Sequence, residues 1–417
     1  MAADTAETVC RWLLVALADA LDGLPSGTEF TVEPYRTRLA LDYIGGPSVG
    51  VAFGGGLGTG LVGGIALGFA DMLGNHSLDV VVQAQGTLKD IGGQALYINR
   101  TRRFNWGVEA GHVPYVSGYA SYAIAGNTQV YTQVIQRTFF DELGIVTQYP
   151  WSMTRRFELS AGVQRISFDL EVDSIVQIGP LVRERRVSLP AAPALNFATA
   201  TTALVFDNSF FGFTSPVAGG RYRFEVTPYT GTLTFTTALA DYRRYLFFRP
   251  FTLAFRAAHF GRYGSGAESD QLQPLYLGQP YLVRGYDVES FDARECSVVP
   301  GNPSSCPEFD RLVGSRIALA NVEFRIPLLG TPQLGLVPSP LPVEVAPFVD
   351  AGAAWSRGQQ VSWQFERNGS DRVPVFSAGI TTRVNLFGFA VAEFFWVKPY
   401  QRPLKSTYWG FQLVPGW

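Results

Sequence analysis

Along much of this chain, apolar and polar residues alternate one for one. From Ser77 to Lys89, the residues Leu78, Val80, Val82, Ala84, Gly86 and Leu88 alternate with Ser77, Asp79, Gln83, Gln85, Thr87 and Lys89, and only Val81 breaks the polar set. A period of two predicts a β-strand, and a run of about a dozen residues suits one crossing a bilayer at a tilt. Between Arg221 and Thr227, Tyr222, Phe224 and Val226 share one face and Arg221, Arg223, Glu225 and Thr227 the other. Aromatics on one side and charge on the other fit lipid and lumen. In the stretch Phe157–Val172 the apolar parity changes, from Phe157, Leu159, Ala161 and Val163 to Ile166, Phe168, Leu170 and Val172, which predicts a β-bulge near Gln164 and Arg165. Further strands are expected near 127–148, 194–207, 231–243, 250–263, 312–328, 342–355, 374–386, 388–397 and 408–416.

Spread over residues 36–417, this pattern predicts about 16 strands at about 24 residues per strand and connection. The expected fold is all-β: a transmembrane antiparallel β-barrel forming one domain over 36–417, preceded by a short helix within 1–35. Leu13, Leu17, Ala20, Leu21 and Leu24 lie at helical spacing there, and Gly23 with Pro25 ends the pattern. An export signal fits this segment poorly, because Asp4 and Glu7 precede a short apolar run and Asp19 follows it. A remnant of an upstream domain, or a helix packed in or under the barrel, is the expectation.

Composition narrows the alternatives. Charged residues are 16% of the chain, against about 25% in an average soluble protein. Aromatics reach 14% and glycines number 44. Composition alone leaves a soluble β-sandwich open; the long lipid-type faces argue against it. A net charge of −2 with no basic run leaves nucleic-acid binding without an electrostatic footprint. The uncharged stretch Val51–Ala70 is too rich in glycine for a transmembrane helix. Within it, Gly58-Thr59-Gly60-Leu61-Val62-Gly63 matches a dinucleotide fingerprint, but Gly63, Gly64 and Gly68 occupy the place of the helix that should follow. His76, His112 and His259 are far apart, so no metal site, cofactor or catalytic residue is expected, and the chain is read as a non-enzyme.

Two motifs remain. The longest connection, from about Gly264 to Asp310, holds Val283-Arg284-Gly285-Tyr286; loops of that length are functional or disordered. It also holds Cys296 and Cys306, whose close spacing in an exported protein predicts a disulfide. Downstream, Glu344, Phe348, Asp350 and Gly352 share the parity opposite to Val343, Val345, Pro347, Val349, Ala351, Ala353 and Trp355. Lipid takes the second set, so Asp350 faces the lumen. One strand earlier, Asn321, Glu323 and Arg325 oppose Val322, Phe324 and Ile326, giving a second inward carboxylate. Spacing leaves two readings open. Arg284 could enter the barrel and pair with Asp350 and Glu323, or it could be an exposed loop arginine while Asp350 pairs with a lumenal base such as Arg325.

Val283-Arg284-Gly285-Tyr286 resembles the Val-Arg-Gly-Phe/Tyr loop motif of the outer-membrane protein assembly and two-partner-secretion transporter superfamily, whose barrel is called the bacterial surface antigen domain. Phe348-x-Asp350-x-Gly352 resembles its lumenal strand motif. Asp207-Asn208 through Pro216 to Gly219-Gly220-Arg221 is similar to a family hairpin, and Asn321-Val322-Glu323-Phe324-Arg325-Ile326-Pro327 to the strand after the motif loop. Five strands after the loop also match. The resemblance covers 200–417 well and 36–200 only by pattern. It implies a loop folded into a barrel of about 16 strands, with Arg284 as anchor, Asp350 as main partner and Glu323 as second, supported by Val283, Gly285, Tyr286, Phe348 and Gly352. It also implies a weak seam between the first and last strands. Trp409, Phe411 and Trp417 on the last strand resemble an insertion signal read by the barrel insertion machinery. The implied location is the outer membrane of a Gram-negative-type bacterium. The implied partners are its lipids, an unfolded polypeptide client and a periplasmic module. The implied role is insertion or translocation of polypeptides, with a passive pore or membrane anchor as the alternative. Family transporters carry periplasmic polypeptide-transport-associated domains, which residues 1–35 are too short to form.

Overall fold

A computed structural model describes residues 34–414 apart from 53–59, 86–87, 127, 179, 297–305, 332–334, 365–371, 389 and 403. The predicted amino-terminal helix and Trp417 lie outside the described residues. By its packing the chain divides into residues 1–38 and 39–417, three residues beyond the predicted boundary.

The second unit is built from sixteen principal strands: β1 Ala40–Ala52, β2 Gly60–Ala70, β3 His76–Gln85, β4 Ile91–Asn99, β5 Asn105–Ala125, β6 Thr128–Ser152, β7 Arg155–Ile178, β8 Leu195–Asp207, β9 Pro216–Gly231, β10 Phe235–Phe248, β11 Phe251–Tyr263, β12 Arg316–Gly330, β13 Val343–Trp355, β14 Val375–Leu386, β15 Ala390–Pro399 and β16 Tyr408–Val414. Each pairs antiparallel with the next, from β1 through to β16. This is the meander of a transmembrane β-barrel, in which the backbone groups of each inner strand are satisfied by the strands before and after it in sequence. Five strands follow the long loop, as expected. Among the described residues no ladder joins β1 to β16.

The alternation sorts the side chains as a barrel in lipid requires. Phe224, Val226, Trp396 and Trp409 are 42%, 48%, 42% and 75% exposed on the outer wall. Their inward neighbours on the same strands include the fully buried Glu393 and the ion-paired Arg223 and Glu225.

Two strand-level expectations need correction. The strand predicted to run to Lys89 ends at Gln85, and Leu88–Asp90 form a 3₁₀ turn that delivers Asp90 to Arg137 on β6, Nε to Oδ1 2.8 Å. The predicted bulge near Gln164 and Arg165 is absent, since β7 runs in unbroken register there against both β6 and β8. Instead, β7 climbs past the barrel wall, where a short strand, Leu181–Leu189, replaces β8 as its partner. The inward side chains Ile166 and Phe168 pack against a cluster of Leu195, Phe197, Phe235 and Ala267. The inner face becomes apolar where it meets protein rather than lumenal water, so the parity changes without an extra residue.

Candidate functional site

The connection between β11 and β12 folds back into the barrel. Its base is pinned by a short ladder between Leu275–Tyr276 and Val313–Gly314. Behind that ladder Leu277, Val283, Tyr286 and Leu312 bury completely against Ile317, Leu319, Ala354 and Val375 of the wall. Burying four such side chains stabilises the seated loop by roughly 1.5–3 kcal/mol each, an upper bound because an unseated loop keeps some of these contacts.

This packing carries Arg284 to the inner surface of β12 and β13. Its Nε and Nη2 donate to the two oxygens of Asp350, each at 2.8 Å, its backbone N–H to Oδ2 at 3.2 Å, and Nη1 to Glu323 Oε1 at 2.8 Å. The guanidinium lies 3.5 Å from the centroid of the Phe348 ring. A bidentate fork on a carboxylate, stacked on an aromatic face, is the geometry that suits arginine and not lysine. Asn321 lies directly across from Asp350 in the β12–β13 register. Its Nδ2 donates both to Asp350 Oδ1 and to the loop carbonyl of Leu282, each at 2.8 Å.

The remaining motif residues make this approach sterically possible. Gly285 has φ +103°, and a Cβ there would stand 3.2 Å from Val397 and 3.3 Å from Pro399. At Gly352 a Cβ would come within 2.9 Å of both Leu277 and Val283; glycine is therefore what lets the loop lie flat on β13. Gly379 on β14, opposite Phe348 in register, leaves room for the aromatic ring under Arg284. Tyr286 places its hydroxyl 2.7 Å from the Phe376 carbonyl and accepts from the Gln401 N–H at 3.2 Å.

The sequence reading missed two of the seven members of the charge cluster, Arg383 and Glu393. Arg383 on β14 donates to Glu323 at 2.8 and 3.0 Å, to Glu344 at 2.9 Å and to Glu393 on β15 at 2.7 Å. Arg325 bonds Glu323 at 2.9 Å and the Pro216 carbonyl at 2.7 Å, not Asp350. Arg284, Arg325 and Arg383 thus sit among Glu323, Glu344, Asp350 and Glu393, and no side chain of the seven is more than 4% exposed. Arg383 and Glu393 are each a lone charge on an inward position of a membrane strand; that signal alone marks them.

A second arginine, also missed, holds the loop from the β15–β16 connection. Arg402 donates to Glu295 at 2.8 and 2.9 Å, to the Gly285 carbonyl at 2.9 Å and to Ser290 at 2.7 and 2.8 Å. Its guanidinium stacks 3.9 Å over Phe291. Burial works to raise the pKa of Glu295, but the Arg402 hydrogen bond, the Asp292 N–H and the charges of Arg402 and Lys405 hold it below the usual carboxylate range. Next to Glu295, Cys296 and Cys306 form a disulfide. The last strand joins the same assembly, with Tyr408 donating to Asp287 and Gln412 to Glu393. Trp409 and Phe411, by contrast, point outward, 75% and 56% exposed.

The polar anchors of the loop, Arg284 and Arg402, lie on the β12–β16 side, while near its start Ala267 packs on the apolar cluster of β7, β8 and β10. Along β5–β9 the inward wall is polar and looser, with a cavity of about 150 Å³ lined by Glu109, Glu142, Thr199, Thr201, Glu225 and Thr227.

A family model described as the Omp85 superfamily domain matches residues 204–416. Among solved structures, BamA from Haemophilus ducreyi lacking POTRA domains 1-3 is similar with a TM-score of 0.53 and 14% identity, over 91% of this chain and 75% of that one. CdiB from Acinetobacter baumannii aligns with a TM-score of 0.47 and 13% identity over 85% of this chain, which spans 56% of the CdiB chain. At these identities the likeness to BamA is one of fold. No curated protein matches this chain.

Proposed function

Because this chain belongs to the Omp85 superfamily and is an outer-membrane β-barrel of the protein assembly and secretion kind, we propose that it helps polypeptides insert into or cross the outer membrane, without chemical catalysis. The observation that supports this reading is the loop held inside the barrel by Arg284 on Asp350 and Glu323. A plug held by a discrete set of ion pairs is a removable obstruction, and the same loop is bonded to the last strand through Tyr408 and to its preceding connection through Arg402. Moving the loop therefore pulls on the strand that ends the barrel. The client is an unfolded polypeptide, and the looser polar wall along β5–β9 is the face it would meet.

Single-channel conductance in planar bilayers tests this, comparing the intact barrel with a variant lacking most of 265–310. A small, flickering conductance that becomes large and steady on deletion is expected. A large, steady conductance in both proteins would mean an open pore, and the transporter reading would give way to a passive pore or anchor.

A further inference from the structure

Three arginines stand in one row across β9, β10 and β11, at the edge of the looser wall. Arg221 on β9 lies directly opposite Arg243 on β10, and Arg243 opposite Arg256 on β11. Side chains facing each other across a ladder are in close contact, and like charges in that position are destabilising. One carboxylate answers the row. Asp241 takes a bidentate pair from Arg243, at 2.7 and 2.9 Å, and a bond from Arg256 at 3.0 Å. Arg256, only 9% exposed, gives Nη1 to the Tyr281 carbonyl of the loop, and its buried Nε has no partner. The side chain of Arg221 has neither a hydrogen bond nor an ion pair among the described residues. Asp207, its cross-strand neighbour on β8, is turned instead toward Ser209, accepting from its N–H at 2.9 Å and its hydroxyl at 2.5 Å. One step along the wall, Arg223 is neutralised by Glu158 and Glu225, and Arg156 by Glu158. This wall therefore holds five arginines against four carboxylates, three of them bonded to arginines and the fourth, Asp207, turned to Ser209. The excess charge opens on a cavity of about 290 Å³ lined by Arg156, Asp207, Arg221, Arg223, Asp241 and Arg243.

We propose that Arg221, backed by Arg243 and Arg256, is a lumenal docking site for the carboxylates of an acidic segment in an extended polypeptide. The row spans three strands at about 4.8 Å spacing, so its charge is spread over roughly 10 Å. A single phosphate needs donors converging on one point, and of the three guanidiniums Arg221 alone has all its donors free. Side chains on one side of an extended peptide recur every ~7 Å, which matches a spread field better. The proposal rests on the reading that the client is a polypeptide.

Fluorescence anisotropy of a labelled hexaglutamate peptide on the full-chain barrel in detergent tests it, with hexalysine and inorganic phosphate as comparison probes. Hexaglutamate is expected to bind the parent, weaken with added salt, and lose roughly tenfold in affinity in Arg221→Gln, the loss of one charge-assisted contact. Arg221→Lys should retain binding within about threefold, because the field rather than the fork is used. Heat-modifiable gel mobility reports folding of both variants. No binding to the parent, undiminished binding in folded Arg221→Gln, or displacement by phosphate at lower concentration than by unlabelled peptide would each overturn the proposal. If loop deletion changes conductance as expected while hexaglutamate fails to bind, only this site is lost. If the peptide binds but deletion leaves conductance unchanged, the transporter reading fails instead.

Discussion

Replacing Arg284 by Met isolates the anchor, because Met keeps much of the volume over Phe348 while removing the charge. The cluster around it would fall from three arginines and four carboxylates to two and four. Glu323 would keep Arg325 and Arg383, so the loss falls on Asp350. That carboxylate is 0% exposed and would retain only Asn321 Nδ2 and the loop backbone N–H. Removing one partner of a buried pair costs about 3–5 kcal/mol, since it leaves the other charge desolvated and uncompensated. At 1.4 kcal/mol per factor of ten, the seated loop should be disfavoured by at least about a hundredfold. Urea titration of the heat-modifiable form in detergent reads the stability, and protease cleavage within 264–315 reads the seating. Arg284→Met combined with Asp350→Asn should recover at least about 1.5 kcal/mol of the loss, because the second change removes the stranded charge. A single variant within about 0.5 kcal/mol of the parent, or a double variant additive to within that margin, would refute the idea that this pair holds the loop.

Other consequences follow from the same geometry. Gly285→Ala should loosen the loop by about 1–3 kcal/mol, since it forces a side chain into a left-handed conformation against Val397 and Pro399; faster loop proteolysis would register it. Arg402→Ala should free the segment near Glu295 while leaving the Arg284 contacts in place, seen as new cleavage near residues 288–296 with a smaller fall in the urea midpoint than Arg284→Met gives, because the stranded Glu295 reaches water once the segment opens. Because the carboxyl of Glu295 is held below its ordinary range, the unseated loop takes up that proton more readily than the seated one. Its contribution should be complete above about pH 4.3 and disappear as pH falls through the lowered value. Loop proteolysis by an acid-active protease should therefore rise on acidification in the parent, and Glu295→Gln should remove that part of the rise.

Much of the barrel was legible because a strand between lipid and lumen must alternate, and the alternation survives in the sequence wherever the strand stays in the membrane. The boundaries predicted for β8 and for β11–β16 fall within a few residues of those observed. The same rule misled at Phe157–Val172, where a parity change reads equally as a bulge or as a strand leaving the membrane; the register of β7 against its two neighbours distinguishes them. Arg284, Asp350 and Glu323 could be singled out because motif and parity put the residues on one side, while their meeting depended on how the loop packs. Nothing local points to Arg402, which lies in a connection without periodicity and finds Glu295 across 107 residues. The row of arginines shows the same division. Sequence determined that Arg221, which shares the row with Arg243 and Arg256, faces inward, since the period of two is a local property of the backbone. Only the tertiary structure decided that they face one another, because cross-strand register depends on turns and hydrogen-bond ladders that no single strand contains.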